Sequence, residues 1–543
     1  MTMSRFLRGV AVPLAVVLAA GPVTHARQAA LSSVEGAARY EILIAGGTVI
    51  DGTGRAGVIT DVAIKSGKIA AIGRIPRSQA GQVIDASGLV VSPGFIDVHT
   101  HADGLVERPA AANFIRMGVT TVVAGNCGGS ALDIAAELSG LRENPGAVNF
   151  ATLIGHNTVR SAVMGSENRP ARAGELARMK SLVWKAMADG AVGLSTGLQY
   201  VPGTYAQAPE IIDLARVAVN AGGLYASHMR NEGTALEQAI AETIRVGAAT
   251  GGRVEISHLK VDSPNRWGAS ARALELIDAA RAKGVDVRAD QYAYTAASSS
   301  LSIRFPSWAL EGGRTKIAER LNTPATWEKV KKEMADLLAE RGLRDLSFAI
   351  VVLYKPDPSL NGLSMQQIAR RRKGSDSADA QFEAAREMQL EGGAQMVYHF
   401  MSDDDVDRIM RHPQVSIASD SGVLAFGDGV PHPRGYGDNA RVLGTYVRVR
   451  QVISLEEAIR KMTSLPAGHF KFANRGIVKA GYAADLVVFD PKAVADTATF
   501  EAPHGYAAGI PYVLVNGVVA VKNGTQTDAR AGQVLANSVL EKR

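Results

Sequence analysis

The stretch Gly94-Phe95-Ile96-Asp97-Val98-His99-Thr100-His101 joins a short apolar strand to two metal-type side chains. Residues 95–98 read as a buried strand, and alternation places His99 and His101 on the same side of the chain just beyond it. Working outward, seven more runs have strand character: 120–124, 150–154, 193–195, 224–226, 254–256, 285–288 and 416–418. Helical patterns, such as 208–221, 234–248 and 270–283, separate most of them. Eight strands alternating with helices predict an α/β fold, a (β/α)8 TIM barrel with a parallel inner ring over 93–475. Well over a hundred residues part the last two strands, far beyond an ordinary connection. Within them, 326–339 and 376–391 are polar and helical, so an inserted lid subdomain is predicted at about 300–395.

The ends of the chain read differently. Residues 39–92 hold short alternating strands broken by Gly46-Gly47 and Ser66-Gly67, which is a hairpin signature. Residues 476–543 repeat the style in Ala484-Asp485-Leu486-Val487-Val488-Phe489 and in Val513-Leu514-Val515-Asn516-Gly517-Val518-Val519. Both ends are expected to meet in one small β-sandwich.

Residues 1–26 stand apart from the fold. Arg5 and Arg8 precede the apolar run GVAVPLAVVLAAG at 9–21, and Thr24-His25-Ala26 ends on a small residue. This is the pattern of a cleaved signal peptide, and the run is too short to span a bilayer. Export to the periplasm or beyond is the expectation. The net charge of +6 is small for 543 residues, and the one basic cluster, Arg370-Arg371-Arg372-Lys373, reads as a solvated loop. A nucleic-acid partner and a membrane span are therefore not expected. With one cysteine in the chain, no internal disulfide can form. A thiol in an oxidising compartment survives when it is buried or held by a metal.

Ligand-type residues stand at the C-terminal ends of five predicted strands: His99 and His101 after the first, Cys127 after the second, His228 after the fifth, His258 after the sixth and Asp420 after the eighth. Barrel enzymes place their chemistry at these ends. A lone histidine there would be structural, and His156, His399, His432 and His469 are read so. Six residues offering imidazole, thiolate and carboxylate together suit zinc, which also explains the cysteine by holding it as thiolate.

The 94–101 motif resembles the metal signature of the amidohydrolase superfamily, as does Gly481-Tyr482-Ala483-Ala484-Asp485-Leu486-Val487-Val488-Phe489-Asp490. Many members carry a carboxylated lysine on the fourth strand, but Gly193-Leu194-Ser195-Thr196-Gly197-Leu198 has none. The thiol of Gly125-Asn126-Cys127-Gly128 takes its place. That combination resembles the N-acyl-D-amino-acid deacylases (D-aminoacylases). So do Tyr225 to Glu232, Ile256-Ser257-His258-Leu259-Lys260 and Pro431-His432-Pro433-Arg434. The similarity runs from about residue 40 to the end of the chain.

The resemblance implies one tight zinc at Cys127, His228 and His258. A second position, weak or empty, would lie at His99, His101 and Asp420. It implies hydrolysis of the amide of N-acyl-D-amino acids, with Asp420 as the general base that carries water's proton to the leaving amine. Arg434 and Lys260 would bind the substrate carboxylate, with Tyr200, Tyr292 and Ser298 completing the pocket. A dipeptidase or a cyclic-amide hydrolase would use the same metal site, and a silent binding protein would be expected to have lost ligands that this chain keeps. The segment Ser421 to Gly427 departs from the Gly-Leu-Pro-His common in D-aminoacylases. It borders the pocket and leaves the side-chain preference and the stereochemistry open.

Overall fold

The computed structural model describes residues 38–537; the expected signal peptide lies outside the described residues. The barrel strands are β1 (Phe95–Asp97), β2 (Val119–Ala124), β3 (Asn149–Thr152), β4 (Gly193–Gly197), β5 (Leu224–His228), β6 (Val254–Ile256), β7 (Val287–Gln291) and β8 (Val415–Ile417). Neighbours pair in parallel from β1 to β3 and again from β4 to β8, with the two arcs joined through Ile154–Gly155 beside β4. The ring closes beyond the strand ends, where Ser421 pairs with Thr100 and Gly422 with His101.

β2 reads VTTVVA and is buried throughout, as expected for a strand covered on both faces by β-branched packing. The outer helices bury one stripe each. In Leu236–Thr250, the inward residues Leu236, Ala239, Ile240, Thr243, Val246 and Gly247 follow helical spacing. The helix stops at Gly251, whose φ of 69° suits a left-handed terminus.

β7 runs later than the predicted 285–288. The Val285 N–H still serves the preceding helix, donating to the Ala280 carbonyl oxygen, so the strand begins at Val287 and reaches Asp290. After β7 comes the insertion. Ala296–Ser300, Ala349–Leu353 and Gln395–His399 form an antiparallel sheet with the last of these in the middle, accompanied by helices including Pro324–Glu340 and Ala378–Leu390. This sheet is not foreseen from sequence, because its first strand reads AASSS and lacks the β-branched and aromatic residues that mark strands.

The two chain ends share one nine-stranded sheet. Tyr40–Val49 pairs with Ala80–Asp85 along its first half and with Val90–Pro93 at its end, so the sheet branches there. Leu486–Phe489 adds antiparallel to Val90–Pro93. The resulting β-sandwich encloses its own core of Ile44, Val62, Ile64, Leu486, Val488 and Leu514. Only Gly94 separates Val90–Pro93 from β1, so the sandwich holds the barrel at its first strand.

Candidate active site

Cys127 hangs on a tight loop after β2. Asn126 donates from Nδ2 to the Val98 and Val123 carbonyl oxygens at 3.2 and 2.9 Å. Ser195 in β4 brackets the loop: its Oγ donates to the Gly125 carbonyl oxygen and accepts the Gly128 N–H at 3.0 Å. A Cβ at Gly197 would collide with the Cys127 carbonyl oxygen, so the end of β4 has to be bare where the cysteine loop crosses it.

Three of the ligand-type residues are non-glycines in the left-handed region: Cys127 (φ 53°), His258 (φ 36°) and Asp420 (φ 50°). Such strain gathers at functional sites, where surrounding bonds enforce it. The His258 N–H donates to Asp290 Oδ1 at 2.7 Å, and the Asp420 N–H to the His99 carbonyl oxygen at 2.9 Å.

The six residues converge. Cys127 Sγ lies 3.5 Å from His228 Nδ1, 3.5 Å from His258 Nε2 and 3.3 Å from His99 Nε2. Asp420 Oδ1 lies 3.1 Å from His101 Nε2 and 3.6 Å from His99 Nε2. Three overlapping donor sets have all their ligand atoms within 4.8 Å of one another: Cys127 with His228 and His258, Cys127 with His99 and His101, and Asp420 with His99 and His258. A tetrahedral zinc bound at 2.0–2.3 Å spaces its donors by about 3.3–3.7 Å, so the donor spacing around the thiol fits that ion. Cys127 sits at the junction of two sets and can serve both.

Three of the four imidazoles turn their outward nitrogen to an acceptor. His228 Nε2 is 2.9 Å from Gln199 Oε1, His258 Nδ1 is 2.9 Å from Glu232 Oε1, and His99 Nδ1 is 3.2 Å from Asp290 Oδ2. These contacts fix the tautomers and leave the inward nitrogens free as ligands. Burial alone would push the Cys127 thiol up, but His99, His258 and His228 override it and hold the thiol well below its ordinary range. Burial likewise opposes Asp420 ionisation, yet Arg434 and His258 keep that carboxyl well below the usual range.

A cavity of about 480 Å³ opens over the centre. Arg434, Lys260, Tyr200, Tyr292 and Ser298 all line it, with different degrees of freedom. Arg434 spends Nη2 on Asp420, while its buried Nη1 has no partner. Lys260 is committed: Nζ lies 2.8 Å from both Glu232 Oε1 and His258 Nδ1. Tyr200 Oη lies 3.3 Å from His228 Nδ1 and accepts from Ser299 Oγ at 3.2 Å. Tyr292 presents its ring to the Arg434 guanidinium at 4.5 Å. Ser298 donates to the Met396 carbonyl oxygen at 2.9 Å, within the inserted sheet. The insertion therefore builds one wall of the cavity.

Sequence reasoning did not assign roles to Asp290, Glu232 and Gln199. Glu232 lies four residues beyond His228 and was within sight, whereas Asp290 fell past the predicted end of β7.

Known proteins resemble this chain along most of its length. A family profile described as "Amidohydrolase family" matches residues 82–521. D-aminoacylase of Alcaligenes xylosoxydans xylosoxydans is 40% identical over 92% of this chain and 98% of its own length. The N-acyl-D-glutamate deacylase of the same organism is 38% identical over 92% and 96%. The crystal structure of N-acyl-D-glutamate deacylase from Bordetella bronchiseptica, complexed with zinc and a phosphonate inhibitor, matches with a TM-score of 0.79. That chain is 36% identical, over 92% of this chain and all of that one. The chain belongs to the amidohydrolase family and is a metal-dependent amide hydrolase built on a (β/α)8 barrel with a β-sandwich.

Proposed function

We propose that the protein hydrolyses the amide bond of N-acyl-D-amino acids, releasing a carboxylate and a free D-amino acid. The observation that carries this reading is the buried, unpartnered Nη1 of Arg434 beside the Cys127–His228–His258 centre. A guanidinium there suits the α-carboxylate of an open-chain N-acyl amino acid and has no counterpart on a neutral cyclic amide. The relatives named for D-aminoacylase and N-acyl-D-glutamate deacylase activity support the D configuration.

Zinc, when bound, supplies a Lewis acid that polarises the amide carbonyl and acidifies water. Cys127, His228 and His258 would hold it tightly, and His99 and His101 with Asp420 would form the second position. Asp420 is the general base. Arg434 fixes one carboxylate oxygen, leaving the other to take the proton of water and deliver it to the leaving nitrogen. Arg434, assisted by Tyr292, orients the substrate carboxylate, and Tyr200 and Ser298 shape the wall. Lys260, matched by Glu232, positions His258 and adds positive potential.

Residues 1–26 support export and maturation in the periplasm. Assay of the zinc-loaded protein on N-acetyl-D- and N-acetyl-L-amino acids tests the activity. Turnover confined to the D series is the expected result. Equal turnover of L substrates, or none of either, refutes it. N-terminal sequencing of the exported protein checks for cleavage after Ala26.

A further inference from the structure

Another cavity, of about 410 Å³, lies against the catalytic one. Gln199, Tyr200, Ser300 and Ile303 line both, so at this wall the two are a single side chain apart. The remaining walls are largely apolar. Val201 comes from the loop after β4, Phe305 and Leu310 from the turns that open the insertion, and Ile317 from its first helix, Gly313–Asn322. No charged side chain lines this cavity among the described residues. Of its hydroxyls, those of Ser300 and Ser302 are spent on each other at 2.6 Å.

The cavity lies at one end of the metal centre. Arg434 touches the centre at Asp420, at 2.9 Å, and the Tyr200 ring meets it at His228, with centroids 4.6 Å apart. Asp420 and His228 share none of the donor sets, so Arg434 and Tyr200 stand at opposite ends. A secondary amide is planar and trans, which puts the α-carbon and the acyl chain on opposite sides of the scissile bond. With the α-carboxylate on Arg434, the α-carbon and its side chain stay at the Asp420 end. The acyl chain then leaves past Tyr200 toward the neighbouring cavity. A charged group there would lose its hydration without gaining a partner, whereas methylene groups gain by leaving water.

We infer that this cavity is the acyl subsite, and that the enzyme prefers N-acyl-D-amino acids carrying uncharged alkyl chains such as hexanoyl or octanoyl over N-acetyl ones. The inference rests on the deacylase reading above and deepens it. Arg434 anchors the amino-acid half, the metal centre takes the carbonyl, and Val201, Phe305, Leu310 and Ile317 sheath the chain.

The test measures kcat/KM for the N-acetyl, N-butyryl, N-hexanoyl and N-octanoyl derivatives of the D-amino acid turned over best in the N-acetyl screen. Each methylene that enters the cavity should raise kcat/KM about three- to fourfold, and the step from acetyl to hexanoyl on the order of 100-fold. Ile317→Trp fills the cavity, and Leu310→Gln makes its wall polar. Both should cut kcat/KM for the hexanoyl substrate by about tenfold or more. The N-acetyl substrate, whose single methyl ends beside Tyr200, should stay within about threefold, which also shows that the variants are folded. A flat or falling series, or an equal loss on every chain length in both variants, overturns the inference. So does a gain on lengthening the amino-acid side chain at constant acetyl that Ile317→Trp abolishes, because the cavity then holds the side chain. Absence of turnover on every substrate refutes the deacylase reading instead. In that case, calorimetric binding of octanoate to the zinc-loaded protein decides: weaker binding by Ile317→Trp upholds the apolar subsite, and unchanged binding removes it.

Discussion

Arg434 holds Asp420 in two places: Nη2 lies 2.9 Å from Oδ2 and donates to the Asp420 backbone carbonyl oxygen at 2.6 Å. The residue proposed to bind the substrate's carboxylate is thus also the residue that aims the general base. Asp420 sits in a left-handed conformation with φ of 50°, so its side chain depends on such outside support. Arg434→Ala should therefore lower kcat as well as raise KM, with a combined loss in kcat/KM of about 100-fold or more. Steady-state kinetics on an N-acetyl-D-amino acid separates the two effects. A change confined to KM would mean that Asp420 holds its position unaided.

Cys127 Sγ touches imidazoles of both donor sets, so its removal should weaken both metal positions at once. Cys127→Ala is expected to lose most of its bound zinc and its activity together. Elemental analysis after dialysis against metal-free buffer reads the zinc content, and a normal content would end the assignment of Cys127 as the central ligand.

Asp420→Asn is the complementary case. The amide keeps the shape but cannot accept a proton, and the Cys127–His228–His258 set does not include it. Tight zinc should remain while kcat falls about 100- to 10,000-fold, the usual worth of a positioned general base. A near-normal rate in the zinc-bound variant would remove Asp420 from that role.

The barrel and its ligand set were readable because they rest on local signals. Buried strands such as VTTVVA and helices with a stripe at 3.6 spacing announce themselves, and a ligand-type residue at a strand end stands out within four residues of it. What was not readable depends on chain crossing chain. Asp290 matters because it reaches His99, 191 positions away, and nothing around Asp290 in sequence signals that contact. Lys260 and Arg434 look alike as lone cations, and only the fold shows that Lys260 is neutralised by Glu232 while Arg434 retains a free Nη1. The inserted sheet stayed hidden because AASSS gains its strand conformation from pairing with Gln395–His399 rather than from its own propensity.

Asp290 offers a test of support behind the ligands. One oxygen orients His99 through Nδ1 at 3.2 Å, and the other accepts the strained His258 N–H at 2.7 Å. Asp290→Asn cannot satisfy both with carboxylate oxygens. Zinc affinity, measured by competition with a chelator, is expected to fall about 10- to 100-fold, the typical effect of losing such a partner. Unchanged affinity would show that the His99 and His258 geometry is set by packing alone.

His432 carries the pH dependence of stability at the junction of barrel and insertion. Its Nε2 donates to the Ala296 carbonyl oxygen at 2.9 Å and its Nδ1 accepts the Arg434 N–H at 3.1 Å, an arrangement that only the neutral ring satisfies. Burial, aided by the Arg434 charge, holds its pKa well below the ordinary histidine value. The sign follows from proton uptake. Above about pH 6.5 both states are neutral and the native contacts count in full. Below it, the unfolded chain binds a proton that the folded ring refuses, and stability falls by up to about 1.4 kcal/mol per pH unit until the folded pKa is reached. His432→Gln keeps a donor for Ala296 and does not titrate. Its thermal midpoint should drop less than that of wild type between pH 7 and pH 5 when both are followed by calorimetry. Parallel decline of the two proteins would mean that the folded ring takes up its proton as readily as the unfolded one.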